Sequence, residues 1–269
     1  MSKVKILVVH HKKTNYVYSD DVYTPIHAGK ALHPELDLGF IGDDTGENIS
    51  LLNPYYCELT AQYWAWKNLE CEYIGLCHYR RYFKTKITND NIDDLMKGCD
   101  ALLAKPNIYL RNVLTDLKNV HTPEDILLFM NILEKQFPEE YITVKRFLLG
   151  NKFYPFNMFV MKKTTFDEFA QWQFKILDEV FHTIPRSPHA NQRRLMGYLG
   201  EVLLPIYFLH HHKKIKTLPV VTSMEKDAKM VTTSLWTRCV RRIQFKLHHK
   251  SKRLFRECTY RSLEADGYM

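Results

Sequence analysis

A chain of 269 residues can bury one large core, or one core with a small appendage. With 45% hydrophobic and 13% aromatic residues its composition is globular, and apolar runs such as Ile6–Val9 and Ala101–Ala104 fall far short of the roughly 20 residues that span a bilayer. The net charge of +8 is unevenly placed: residues 225–269 hold eleven Lys/Arg against five Asp/Glu, whereas 1–224 hold 27 against 25, and so neutral a body argues against nucleic-acid binding.

The start, Met1-Ser-Lys-Val-Lys-Ile-Leu-Val-Val-His10, reads as a first strand over Lys3–Val9. As a signal peptide its apolar part is too short and lacks a small-residue cleavage site, so the expectation is a cytoplasmic protein. His10-His11-Lys12-Lys13 follows. The loop after strand 1 touches the ligand in nucleotide-binding α/β domains, and Lys12 or Lys13 there is either a phosphate contact or part of a solvated basic loop. No G-x-G-x-x-G or P-loop is present, which excludes the usual dinucleotide and ATPase devices.

Leu38–Ile41 reads as a second short strand before the turn-rich Gly42–Asn48. Asp43 and Asp44, adjacent in that turn, suit a divalent cation or ribose hydroxyls; the plainer reading is turn residues bonding their own backbone. Asn53-Pro54 resembles an N-cap with proline at the first helical position, opening a helix to about Asn68. Glu58 lies there among Tyr55, Tyr56, Tyr63, Trp64 and Trp66. Such aromatic density is either core packing or a carbohydrate platform, for which Glu58 and Trp66 are the candidates.

Tyr73–Cys77 is the next strand, ending in His78-Tyr79-Arg80-Arg81-Tyr82. Charge is poorly tolerated inside sheets, and ligands of open α/β sheets bind at the carboxyl ends of strands. A guanidinium fork fits phosphate oxygens, aromatic faces stack on a base or sugar, and His78 titrates near neutral pH. A structural salt bridge and a satisfied core histidine are the plain alternatives.

Downstream, Asp93–Lys97 is a helical fragment and Asp100–Lys105 a strand closed by Pro106. Thr122-Pro-Glu-Asp125 opens a helix to about Phe137. A helix at Glu140–Leu149, a strand at Phe156–Met161 and helices at Thr165–Phe181 and Arg193–His211 follow. Glu201 sits in the last of these, in an apolar stretch, where a lone acid either has an arginine partner or faces a cleft as a base. His210-His211-His212 is a weak metal cluster, since adjacent histidines on a helix diverge, and the six cysteines show no C-x-x-C spacing, arguing against a disulfide framework or zinc site.

From 234 to 256 there are eight Lys/Arg and no acid, with Trp236, Val240, Ile243, Leu247 and Leu254 on one helical face. This fits an anionic membrane surface or a helix packed on the body. The expected architecture is α/β, a mainly parallel central sheet flanked by helices over 1–224, plus a basic amphipathic helical tail over 225–269.

Several segments occur in a telling order: Asp43-Asp-Thr-Gly-Glu-Asn-Ile-Ser50, Asn53-Pro-Tyr-Tyr-Cys-Glu-Leu-Thr60, Tyr63-Trp-Ala-Trp-Lys-Asn68, Tyr73–Phe83, Asn157-Met-Phe-Val-Met161 and Gly197-Tyr-Leu-Gly-Glu201. Together they resemble a bacterial family of capsular and exopolysaccharide biosynthesis glycosyltransferases, long catalogued as a domain of unknown function. The likeness covers about residues 3–221. It implies a single GT-A-like domain and transfer of a sugar from a nucleotide diphosphate donor; a glycan acceptor, lipid-linked or an oligosaccharide, is the expectation that would give the basic tail a reason to sit on the inner membrane face. Some relatives are galactofuranosyltransferases, which makes UDP-galactofuranose a candidate donor. Typical GT-A enzymes hold Mn or Mg on an Asp-x-Asp motif; this strand end carries His78-Tyr-Arg-Arg81 instead, leaving Asp43 and Asp44 as the metal candidates. On this reading His10, His11, Lys12, Asp43, Asp44, Tyr79, Arg80, Arg81 and Asn157 are the candidates for the donor, Glu201, Glu58 and His78 for catalysis, and Trp66 and Tyr82 for sugar. A silent nucleotide- or glycan-binding module and a nucleotidyltransferase or phosphotransferase are the rival readings.

Overall fold

Apolar alternation in the first strand decides the layering. The computed structural model describes residues 2–231, 233–248 and 254–269. In β1 (Ser2–His10), Val4, Ile6 and Val8 enter one core while Leu7 and Val9 enter another. A strand buried on both faces belongs inside a covered sheet. β2 (Tyr23–His27) pairs parallel with β1 from Ile6↔Tyr23 to His10↔His27. The strand expected at Leu38–Ile41 does not form; Gly39 and Phe40 are bends, and the segment meets β2 only through His27 N, which donates to Ile41 O, and an isolated bridge of Gly42 to His27. Its place is taken by Tyr23–His27, whose strand signal Pro25 obscures and whose position at the sheet edge allows a proline.

The helix expected from Asn53 to Asn68 is two: α1 (Asn53–Tyr56) and α2 (Leu59–Asn68). They break at Cys57, at φ 52° and ψ −129°. β3 (Cys71–His78) then pairs parallel with β1, up to Val9↔His78. After β4 (Tyr82–Phe83) and α3 (Ile92–Met96) come β5 (Ala101–Ala104) and β6 (Asn107–Ile108). α4 (Val113–Val120) follows, then α5 (Pro123–Gln136), capped by Thr122 as predicted, its Oγ1 accepting from Asp125 N at 3.3 Å. α6 (Pro138–Leu149), β7 (Lys152–Phe153), β8 (Phe159–Lys162) and the long α7 (Lys163–Thr183) lead to α8 (Leu195–His210). β9 (Ile215–Leu218), β10 (Val220–Val221), α9 (Leu235–His248) and α10 (Glu257–Ala265) complete the described elements.

The main sheet runs β2-β1-β3-β8-β5-β9, with β8 antiparallel to both neighbours and the other pairings parallel. This is the mainly parallel α/β sheet expected. The core on one face includes residues of α2, α5, α7 and α8; that on the other includes Tyr82 and Phe83 of β4 and Ile92 and Met96 of α3. The carboxyl ends of β1, β2 and β3 thus fall together, at His10, His27 and His78.

The tail divides into two parts. Phe255 and Leu263 join the main core, and Leu254, expected on the amphipathic stripe, packs against that core instead. α9 keeps its apolar face outward: Trp236 is 78% exposed, Ile243 60% and Leu247 64%. Three of the expected tail cations, Lys250, Lys252 and Arg253, lie outside the described residues. Among the described residues no helix is long and apolar enough to cross a membrane.

Candidate active site

Two glycines bring the carboxylates together. Gly197 and Gly200 lie one turn apart on α8, on the side that meets the α1–α2 break. A Cβ on Gly197 would stand 3.0 Å from Cys57 Sγ, and one on Gly200 2.6 Å from Leu59 Cδ1. The break therefore seats directly on α8, with Glu58 just after Cys57 and Glu201 just after Gly200. Asn157, at φ 49°, completes the junction: its Nδ2 donates to Glu58 Oε1 at 2.7 Å and to Gly197 O at 3.1 Å. Phe156 before it has φ 84° and its carbonyl accepts from His78 at 2.6 Å. Three side-chain-bearing residues with positive φ (Cys57, Phe156, Asn157) thus meet at one spot, the kind of strain found at ligand sites.

The electrostatics differ from group to group. Burial, then repulsion from Glu58, pushes the Glu201 carboxyl up to about 8, against attraction from the Phe156 amide, Arg81 and Arg194. Burial also lowers the His78 imidazole. The neutral ring whose Nε2–H donates to the Phe156 carbonyl leaves Nδ1 as its acceptor.

A cleft of about 460 Å³ opens above this junction, at the ends of β1 and β3. Lys12, Arg80, Arg81, Arg193 and Arg194 line it, along with His11 and Tyr79. Among the described residues none of these five cations forms an ion pair. Desolvation and then Lys12, Arg194 and Arg80 depress the His11 pKa, a measure of the field they create. Arg81 lies 4.2 Å over the Phe156 ring, and Arg194 Nε donates to Cys57 Sγ at 3.1 Å. Several guanidinium groups facing one cleft with no carboxylate at ion-pair distance form a receptor for a polyanion.

The structure sorts the sequence candidates. His11, Lys12, Glu58, His78, Tyr79, Arg80, Arg81 and Glu201 all line the cleft, and Asn157 holds Glu58 from behind. His10 does not line it. It is fully buried between Phe40 and Tyr79, at 5.0 and 5.3 Å, and burial lowers it to about 4. Tyr82 is fully buried in the second core. Trp66 stacks on Phe174 at 5.9 Å, away from the cleft. Asp43 is buried and accepts from Gly29 N, Lys30 N and Ser50 Oγ, tying down the loop after β2, while Asp44 is exposed. The pair does not fit a divalent cation, because one carboxylate is used on the backbone and the other diverges from it. Among the described residues no group of three His, Cys, Asp or Glu side chains is placed to hold a metal.

Cys57, Arg193 and Arg194 went unmarked in the sequence. The only signal for the arginines is their place two and one residues before α8, the helix carrying Glu201.

No curated protein matches the chain significantly. The solved apo structure of WbbM, described as a bifunctional glycosyltransferase, is similar to it with a TM-score of 0.73 and 30% identity. The match covers 86% of this chain but 47% of that one, so the chain spans about half the length of that protein. Residues 5–213 match the family described as "Domain of unknown function (DUF4422)". The chain belongs to the DUF4422 family.

Proposed function

We propose that the chain is a GT-A-like glycosyltransferase that takes a sugar from a nucleoside diphosphate sugar and passes it to a glycan in surface polysaccharide assembly. The observation that carries this reading is the set of unpaired cations Lys12, Arg80, Arg81, Arg193 and Arg194 around one cleft at the strand ends. A diphosphate supplies the missing charge, and the same cations stabilise it as it leaves. The likeness to WbbM supports the transferase class.

In the inverting version of the reaction, an acceptor hydroxyl oxygen attacks the anomeric carbon. The bond from that carbon to the diphosphate oxygen breaks, and its electron pair leaves with the diphosphate. The hydroxyl proton passes to Glu201, whose pKa of about 8 suits a base working near neutral pH. Glu58, held by Asn157, adds negative charge beside the developing cationic sugar. Arg80 and Arg81 hold the diphosphate, and Tyr79 offers a ring at the donor end. α9 supports work at the inner membrane face: Trp236, Ile243 and Leu247 are exposed beside the exposed Arg242 and Lys246.

Incubation with a panel of UDP-, GDP-, TDP- and CMP-sugars, UDP-galactofuranose included, tests the reading through slow donor hydrolysis. Release of one nucleoside diphosphate is the expected result. Binding without hydrolysis of any donor would instead identify a silent nucleotide-binding module, and no binding would overturn both.

A further inference from the structure

A second cavity, of about 360 Å³, opens from the same junction. It shares Cys57, Glu58, Arg80, Arg81, Arg194 and Glu201 with the cationic cleft and then runs in another direction. Its own walls have a different chemistry. Tyr109, Phe153, Phe156 and Tyr198 supply aromatic surface, and Asp116 a carboxylate. Tyr109 and Phe153 stack at 5.7 Å and 22°, which makes one continuous face. Burial raises the pKa of Asp116, and among the described residues no hydrogen-bond donor reaches its carboxylate.

We infer that this second cavity is the acceptor subsite, and that it binds the terminal sugar of the acceptor glycan. The inference rests on the transferase reading of the first cleft. Aromatic faces pack on the C–H faces of a sugar ring, while a half-buried carboxylate without a donor accepts from sugar hydroxyls. A nucleoside diphosphate belongs in the other lobe, where the remaining cations lie. The two lobes meet at the shared residues, among them Glu58 and Glu201, which puts a hydroxyl from one side and an anomeric carbon from the other against the same two carboxylates.

The surroundings say from where the acceptor arrives. Arg241 of α9 donates through Nη1 to the carbonyl of Ile108 at 3.1 Å. Ile108 lies between Asn107 and Tyr109, both of which line the second cavity. The helix with the outward apolar face therefore borders the acceptor lobe, and a glycan carried on a membrane lipid reaches this lobe from that side.

Ligand-observed NMR with the methyl glycosides of galactose, glucose, mannose and N-acetylglucosamine tests the assignment without relying on turnover. At least one glycoside should bind the full chain, and saturating UDP should not displace it. Tyr109→Ala and Asp116→Asn should each weaken that binding at least fivefold; the second variant guards against a packing defect in the first. Competition by UDP, unchanged glycoside binding in both variants, or no glycoside binding at all would each overturn the inference. Calorimetric titration with UDP, GDP, TDP and CMP reads the donor cleft separately, so loss of that reading is seen as absent nucleotide binding whatever the glycosides do.

Discussion

Asn157 Nδ2 stands 2.7 Å from Glu58 Oε1, and this bond joins the loop before β8 to the helix break after α1. The same amide reaches Gly197 O on α8, so one side chain fixes the relative positions of three segments. Hydrogen bonds to charged groups contribute about 1.5–3 kcal/mol. Asn157→Ala should therefore lower the transfer rate by roughly 10- to 100-fold with little change in donor KM. Donor affinity falling in step with the rate would instead place Asn157 on the nucleotide.

Glu201 ties activity to stability in opposite directions. Its carboxyl is raised from 4.5 to about 8 in the folded chain, so the folded state retains a proton that the unfolded chain releases. The stabilisation from that proton is complete below pH 4.5, declines as the pH rises, and is exhausted above about 8. Glu201→Gln removes this dependence and should raise the Tm at pH 8 relative to the parent, with no gain at pH 4. The same variant should lose about 10²–10⁴-fold in transfer. In the parent, transfer should climb with pH and level off past about 8, as the base becomes ionised. A rate that is flat from pH 6 to 9 would remove Glu201 from the role of base.

The cationic cleft makes a prediction about salt. Arg80 is exposed and Arg194 is braced by Cys57 Sγ and the Tyr198 ring, and among the described residues neither forms an ion pair. Arg80→Ala and Arg194→Ala should each weaken UDP binding by the roughly 1.5–3 kcal/mol of a charge-assisted bond. Their Tm should move by no more than a degree or two. Raising the ionic strength should weaken UDP binding to the parent more than to either variant. Equal salt dependence in all three would show that these arginines do not face the phosphates.

Much of the sheet was legible because its signal is local. Val4 to Val9 and Tyr73 to Cys77 are short apolar runs, and the cationic segment after the second marks a strand end whatever the fold. Tyr23–His27 was hidden by Pro25, which only an edge position explains. The break at Cys57 was hidden for a different reason. Asn53 to Asn68 has no internal glycine or proline after Pro54, so the positive φ is imposed by packing against Gly197, some 140 residues away in the chain. Trp66 and Tyr82 looked like sugar platforms because aromatic residues read alike in a core and in a cleft. Only the tertiary structure separates them from Tyr109 and Tyr198.

That packing is open to direct test. Gly197→Ala would place a methyl group 3.0 Å from Cys57 Sγ and 3.1 Å from its Cβ. Overpacking of this kind costs about 1–3 kcal/mol. The Tm should fall by several degrees, and activity should fall further than the stability loss explains, because Cys57 positions its neighbour Glu58. Undiminished activity in a destabilised variant would show that the break tolerates movement.

α9 gives the last prediction. Its outward face carries Trp236, Ile243 and Leu247, while Arg238 is buried and Arg241 is tied to Ile108. An apolar stripe of this size in water is unfavourable unless something covers it. A bilayer interface would cover it and use the flanking Arg242 and Lys246 as well, each worth about 1 kcal/mol near an anionic surface. The full chain should float with phosphatidylglycerol-containing vesicles and remain behind with phosphatidylcholine alone. Trp236→Glu combined with Ile243→Glu should abolish flotation with the Tm unchanged, since neither side chain is packed on the body. Arg242→Glu should weaken it and flatten its dependence on salt. If the double variant floats as well as the parent, the helix is not the membrane contact. If instead it alters the Tm or the oligomeric state, the apolar face is covered by protein and not by lipid.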